Sequence, residues 1–425
     1  MKTVSVSQRD TRYVWHPFTP QLDMEPPVTL VRGEGALLFD EQGNSYIDAI
    51  SSWWVNIHGH CNAYITKKIS EQLNRLEHAI FSGFTHEPAV RLAERLLEKV
   101  PHMHRVFFSD DGSTSVEVAL KMTFQFFHNK GEKKTKVVAL ENGYHGDTFG
   151  GMSAGARNVF NRAFENFLFD VVHIPVPVKG MEKASLEKLE AIVSGGEVAA
   201  FIFEPLVQGA GGMVMYDAPA LDALLAVCRK HNVLTIADEV MTGFFRTGKF
   251  LATEYCTQQP DIVCLSKGIT GGYFPLGATL CTGEIYNAFL SADKTKTFFH
   301  GHSYTANPTI CAAANASLDL LEQEEPLGNI RRMVSFMQEQ QQVFASHEKV
   351  REARCTGTIL ALEIKTGEAT EYLNPLAEKV HVYFPPRGVI LRPLGNVVYI
   401  LPPYCTTREQ LEKIANEIKL FLDTL

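Results

Sequence analysis

Long apolar runs are missing from this sequence. None reaches the ~18 residues that a membrane-spanning helix needs. The opening segment, MKTVSVSQRDTRYVWHPF, has no continuous apolar stretch of the kind that marks a secretory signal. Positive charge is also short: 40 Lys and Arg stand against 48 Asp and Glu, for a net charge of −8. That excludes the field on which non-specific binding to nucleic acid or anionic lipid depends. The densest lysine stretch, Lys130 to Lys136, is interrupted by Glu132 and reads as a solvated loop. The eight cysteines are scattered and form no CxxC pair. Such spacing suits reduced thiols in a cytosolic enzyme better than a disulfide scaffold. No GxGxxG or Walker-type loop is present, which disfavours nucleotide binding. Two HGH triplets, at 58–60 and 300–302, lack a nearby third ligand, so no metal is expected. Internal repeats and low-complexity segments are absent too.

What is present is an ordinary globular composition, 45% hydrophobic and 21% charged over 425 residues. At about 100–200 residues per domain, this length predicts two to three domains. The segment GALLFDEQGNSYID (35–48) predicts a hairpin turning at Gly43-Asn44. From about residue 61 the runs HRVFFS, KVVAL, VVHIPV, AAFIFEP, VLTIADE and DIVCLS alternate with amphipathic stretches. That alternation predicts an α/β domain with a mostly parallel sheet. An acidic stretch from Glu322 to Pro326 interrupts it, and a polar helix is expected from Asn329 to about His347. Two short strands (TGTILALEI, GNVVYILPP) and a helix from Thr407 then read as a smaller α+β domain. The expected division is an N-terminal segment, 1–60, joining the small domain; a large domain, 61–325; and a C-terminal small domain, 326–425.

Four places combine chemistry with a strand end, where parallel α/β sheets put their ligands. VLTIADEV (233–240) ends a buried strand on Asp238. A carboxylate there can keep a pyridine nitrogen protonated; alone it equally fits an acid capping a turn. DIVCLSKG (261–268) brings Lys267 just past the neighbouring strand. Desolvation would lower its pKa and make it a competent amine nucleophile; alone it equally fits a solvated lysine. In FFSDDGSTSVEVALKM (107–122) a strand turns through Gly112 into a helix opened by Ser113 and Thr114. A helix start of that kind can bind phosphate or be an ordinary N-cap. ENGYHGDTFG (141–150) sets Tyr144 in a glycine-bounded loop, where its ring can stack on a flat cofactor. Together the four supply an amine, a ring-nitrogen carboxylate, a phosphate cup and an aromatic face.

IADEVMTGFFRTGKF and LSKGITGGYFPLGAT, with EPLVQGAGGM (204–213) and ENGYHGDTFG, resemble the signature of class III (ω-type) aminotransferases of fold type I. The resemblance spans nearly the whole chain. It implies pyridoxal 5′-phosphate as cofactor, held covalently by Lys267, with Asp238 at the pyridinium nitrogen and Tyr144 on the ring. Gly112, Ser113 and the hydroxyl of Ser303 of the partner subunit would bind the phosphate, which implies a homodimer with shared active sites. WHPFTP (15–20), DAISSWWVNIHGH (48–60), FFHGHSYTANP (298–308) and LRPLGNVVYILPPY (391–404) resemble the branch of this family that serves biotin biosynthesis. That branch implies transamination of 8-amino-7-oxononanoate to 7,8-diaminononanoate, with S-adenosylmethionine as amino donor or, in a minority, lysine; the alternative is another ω-aminotransferase reaction on the same scaffold. By the same resemblance Trp53, Tyr144 and Asp147 line the substrate pocket and Arg392 receives the distal carboxylate. Two residues depart from the pattern. Phe18 stands where many relatives carry Tyr, and Phe245 stands in GFFRTG where they read GFGRTG, adding bulk near the pocket.

Overall fold

In the computed structural model, which describes residues 4–22, 24–367 and 372–425, the six apolar runs become strands of one seven-stranded sheet. Its order is 105–109, 277–281, 262–265, 234–238, 198–203, 136–140, 171–174. The strands from 262–265 to 171–174 run parallel to their neighbours. Strand Gly277–Cys281 is antiparallel to both of its neighbours, and it is the strand that the sequence pattern misses. The runs are continuously apolar because both faces of the sheet are covered. Val137, Ala139, Ala200, Ile202, Ile236 and Ile262 pack on one side with Val116, Phe126 and Phe127 of helix Gly112–Lys130. The alternate residues Val138, Leu140, Phe201, Phe203, Ala237 and Val263 join the larger core on the other.

The predicted hairpin is present as strands Leu37–Asp40 and Ser45–Asp48, with Gly43 at φ +86°. It belongs to a four-stranded sheet whose other members are Leu30–Glu34 and, paired in parallel with Ser45–Asp48, Val389–Ile390. A three-stranded antiparallel sheet combines Val350–Thr356, Ile359–Ile364 and Val397–Ile400. Its first strand, VREARCT, has mostly polar side chains and was not anticipated. The polar helix starts at Glu324 rather than Asn329 and runs to Ala345. Glu324 and Glu325 favour the positive end of the helix dipole, and Pro326 lies in the first turn, where a missing N–H costs nothing. The expected boundary at 325/326 therefore falls inside this helix. The closing helix, Arg408–Asp423, is capped by Thr407.

Candidate active site

Strand Leu234–Asp238 delivers Asp238 to the wall of a cavity of about 680 Å³. Its Oδ2 lies 2.7 Å from His145 Nδ1, and its Oδ1 accepts the Val240 N–H at 3.1 Å. Burial pulls the pKa of His145 down, but the hydrogen bond and charge of Asp238 outweigh it and the net shift is upward. His145 Nε2 is buried with no partner among the described residues. The adjacent Glu239 is spent on structure: it accepts from Thr242 and from the N–H groups of Ala252 and Thr253.

Lys267 follows the next strand, Ile262–Leu265, and lines the same cavity. The chain reverses at once: Lys267 has φ +45°, and Leu265 pairs with Ala278 on the returning antiparallel strand. The amine therefore stands just past a strand end, at the start of a connection whose two ends are pinned by sheet pairing. Its Nζ lies 4.4 Å from the ring centroid of Trp54. Burial lowers its pKa from 10.5 to about 8, opposed by the charges of Asp238 and Glu204. The neutral amine is the nucleophilic form. In cofactor-free protein, acetylation of Lys267 by acetic anhydride should thus rise through pH 8 and level off above it. Exposed lysines should still be gaining reactivity at that point. Peptide mass spectrometry reads both, and a Lys267 profile that tracks the exposed lysines would contradict the shift.

Helix Gly112–Lys130 opens on the cavity. Asp111 caps it, engaging the N–H groups of Thr114 and Ser115. The N–H groups of Gly112 and Ser113 have no acceptor among the described residues. A Cβ at Gly112 would lie 2.6 Å from Val240, and one at Gly146 (φ +106°) would lie 2.2 Å from Ser113 Oγ. Only glycine lets these backbones close so tightly. Ser113 Oγ also meets Thr148 Oγ1 at 2.6 Å. The result is a cup of free N–H groups beside the mutually bonded Ser113 and Thr148 hydroxyls at a helix N-terminus, which suits a phosphate.

Tyr144 and Asp147 line the cavity beside this cup. Burial, then the Asp147 carboxylate, raise the pKa of the Tyr144 phenol, so it stays protonated. The Tyr144 N–H donates to Glu204 Oε1 at 3.0 Å, and the Gly209 N–H donates to Oε2 at 2.8 Å. Burial pushes the Glu204 carboxyl up to about 7. Sequence reasoning named the segment beginning at Glu204 but gave the residue no role. The strand-end rule that found Asp238 applies equally to Glu204, which directly follows strand Val198–Phe203.

Trp53 and Arg392 lie outside this cavity's wall, in an aromatic vestibule next to it. Arg392 Cζ stands 4.7 Å from the Trp53 ring centroid, and Arg392 Nη2 meets the Tyr372 hydroxyl at 3.3 Å. Phe160 packs edge-on to Tyr372 at 4.6 Å and to Tyr144 at 6.2 Å, which joins vestibule to cavity. Phe18 packs on Trp53 and Phe160 at 5.5 and 5.8 Å, so the hydroxyl it lacks would have been at this mouth. Phe245 does not reach the site. It packs on Phe250 at 5.7 Å and adds its bulk to the core, a correction to the expectation. Ser303 is on an exposed turn away from this chain's own cavity, near the exposed Phe299 and Tyr304. The HGH histidines are engaged elsewhere: His58 with Ser317, His60 with Asp48, His300 with Lys121, and His302 with Asp110.

The turn carrying the tryptophans is strained. Ser51, Ser52 and Trp54 have φ of +51°, +61° and +69°, a region that costs a non-glycine residue about 1–3 kcal/mol. Local and tertiary bonds together hold it: the buried Asp48 accepts from Ile50 N–H, Ser52 N–H and Ser52 Oγ. Arg246, fully buried, donates to Ser51 Oγ and to the Pro402 carbonyl, both at 2.8 Å.

A family model, aminotransferase class-III, matches residues 19–422. The chain is 46% identical over 422 residues to adenosylmethionine-8-amino-7-oxononanoate aminotransferase of Synechococcus elongatus, covering 97% of this chain and 99% of that protein. The crystal structure of the Methanocaldococcus jannaschii protein of the same name superposes with a TM-score of 0.93 at 32% identity, over 98% of both chains. A PLP-bound amine transaminase from an uncultivated Pseudomonas species superposes at 0.90 with 32% identity, over 97% of this chain and 98% of that one.

Proposed function

The chain belongs to the class-III aminotransferase family, and from that premise we propose that it aminates the keto carbon of 8-amino-7-oxononanoate. The product is 7,8-diaminononanoate, a step in biotin biosynthesis, with S-adenosylmethionine as amino donor. The observation that carries the reading is the convergence of the Lys267 amine, the Asp238 carboxylate and the Gly112–Ser113 cup on one cavity. The protein is a pyridoxal-phosphate enzyme, as its family is, and the residues fit that cofactor: free N–H groups for a phosphate, a buried carboxylate for a ring nitrogen, and an amine for an aldehyde. When bound, the cofactor supplies an electron sink for the carbon that carries the amino group.

The protein's own groups do the rest. Lys267 holds the cofactor and then, with its pKa of about 8, takes up and returns protons at Nζ near neutral pH. Asp238, fixed by His145, keeps negative charge beside the ring nitrogen. Gly112 and Ser113 bind phosphate, joined by Ser303 of the partner subunit. Tyr144 stacks on the ring, while Trp53 and Asp147 border the substrate. Arg392 clamps the distal carboxylate with its planar fork. The reading includes a homodimer, supported by the exposed Phe299 and Tyr304 beside Ser303. It also includes a cytosolic location, supported by eight unpaired thiols. Among the described residues, no helix is long and apolar enough to cross a membrane. The reading divides the chain into a cofactor-binding lobe, 61–325, and a smaller lobe of 326–425 joined by 1–60, supported by the pairing of Ser45–Asp48 with Val389–Ile390.

The test is direct: purified enzyme with 8-amino-7-oxononanoate and S-adenosylmethionine, diaminononanoate measured as product, lysine offered as a parallel donor. Absence of product with either donor would refute the reading. Product with lysine alone would change only the donor. In the same assay Arg392→Ala should raise KM for 8-amino-7-oxononanoate while cofactor content stays normal. Loss of a charged, hydrogen-bonded pair in a partly buried site costs about 2–5 kcal/mol. An unchanged KM would show that the carboxylate is bound elsewhere.

A further inference from the structure

Two of the chain's three tryptophans are adjacent, and each carries a cation on its ring: Lys267 on Trp54 and Arg392 on Trp53. Residues joined by one peptide bond cannot drift apart. The separation of amine and guanidinium is therefore tied to the conformation of the Ser51–Trp54 turn. That conformation is not one a free chain would adopt, given its left-handed Ser51, Ser52 and Trp54. It is imposed from outside. The buried Asp48 accepts three bonds from Ile50 and Ser52 and a fourth from His60. The Trp54 indole N–H donates to the Tyr399 hydroxyl at 2.9 Å, and Ser51 Oγ donates to the Leu401 carbonyl at 2.8 Å.

We propose that the Ser51–Trp54 turn is a ruler that selects the acceptor by chain length, with Asp48 and Tyr399 as positioning residues. The reacting carbon must sit at the Lys267 amine while the far carboxylate sits on the Arg392 fork. A chain one methylene too short or too long satisfies one end and misplaces the other. This inference rests on the reading of Arg392 given above. Asp48 and Tyr399 touch no substrate in it. They act by holding two indole rings at a fixed interval, one against Lys267 at the reacting end and one against Arg392 at the carboxylate end.

The experiment uses holoenzyme and a series of 8-amino-7-oxononanoate homologues with one methylene fewer or more between keto carbon and carboxylate. KM and kcat are measured with each. Equilibrium binding without donor is followed by tryptophan fluorescence, to which Trp53 and Trp54 contribute directly. Wild type should prefer the natural length over both homologues, and the longer one decides: burial of an extra CH₂ group alone would favour it by about fourfold, so a wild-type preference against it reports the fixed interval. Asp48→Asn and Tyr399→Phe should flatten that preference toward unity, with cofactor content unchanged. Ser52→Gly guards against a folding defect: it removes the Ser52 Oγ bond to Asp48 and widens the backbone's conformational choice, which loosens the turn, while the exposed position and glycine's tolerance of φ +61° leave the core intact. Ser52→Gly should flatten the preference as well. Variants that bind cofactor and keep the wild-type length preference would overturn the ruler. If Arg392→Ala also kept wild-type KM and length preference, the carboxylate reading would fail with it. If Arg392→Ala lost acceptor binding while the turn variants kept the preference, only the ruler would fail.

Discussion

Lys267→Ala should leave no measurable turnover. Proton transfer by a positioned side chain alone is worth about 10²–10⁴-fold, and here the same nitrogen is also the covalent anchor of the proposed site. The fold should survive, because the side chain ends in a cavity and its backbone is held by the Leu265–Ala278 pairing rather than by the amine. Circular dichroism and melting temperature would check that. In wild type, borohydride should fix the cofactor irreversibly to one peptide, and mass spectrometry should identify it as the one containing Lys267. A label on any other lysine would refute the assignment.

Asp238→Asn should retain cofactor yet lose activity by orders of magnitude. The phosphate cup at Gly112 and Ser113 is untouched by the change, so absorbance of the purified variant should still report bound cofactor. The charge proposed to face the ring nitrogen is gone, however. An amide can accept from His145 or from Val240 with only one of its two atoms, whereas the carboxylate accepts from both. The comparison that decides is kcat at matched cofactor occupancy. A rate near that of wild type would remove Asp238 from the chemistry and leave it a role in packing.

These groups were legible in sequence for a physical reason. A strand buried on both faces must be continuously apolar, so the residue that ends the run is conspicuous, and Asp238 and Lys267 both stand at such ends. Glu204 stands at another and was passed over. Strand Gly277–Cys281 was illegible because its place demands small residues. A Cβ at Gly277 would lie 2.3 Å from the Asp111 carbonyl oxygen, so the strand that braces the cup gives up the bulky pattern that announces a strand. The Ser51–Trp54 turn was illegible for a different reason. Its left-handed residues are serine and tryptophan, where local rules look for glycine or asparagine, and several of the bonds that enforce it come from the distant Arg246, Tyr399 and Leu401. The vestibule is likewise built by Phe18, Trp53, Phe160, Tyr372 and Arg392, residues that no local pattern connects. Family resemblance supplied Trp53 and Arg392, but not Phe160 or Tyr372.

The bonds from Trp54 to Tyr399 and from Ser51 to Leu401 join residues 345 and 350 positions apart, and strand Ser45–Asp48 takes its parallel neighbour from Val389–Ile390. On the ribosome, where chains emerge at about 5–20 residues per second, the early hairpin and the tryptophan turn lack part of their partners until residues near 400 have been made. The central sheet can assemble first, since all its strands lie between 105 and 281. Catalytic competence must then arrive late and all at once during synthesis. A nascent chain stalled before residue 389 would carry Lys267 and Asp238 on a formed sheet but lack Arg392 and the Tyr399 and Leu401 bonds that fix the tryptophan turn.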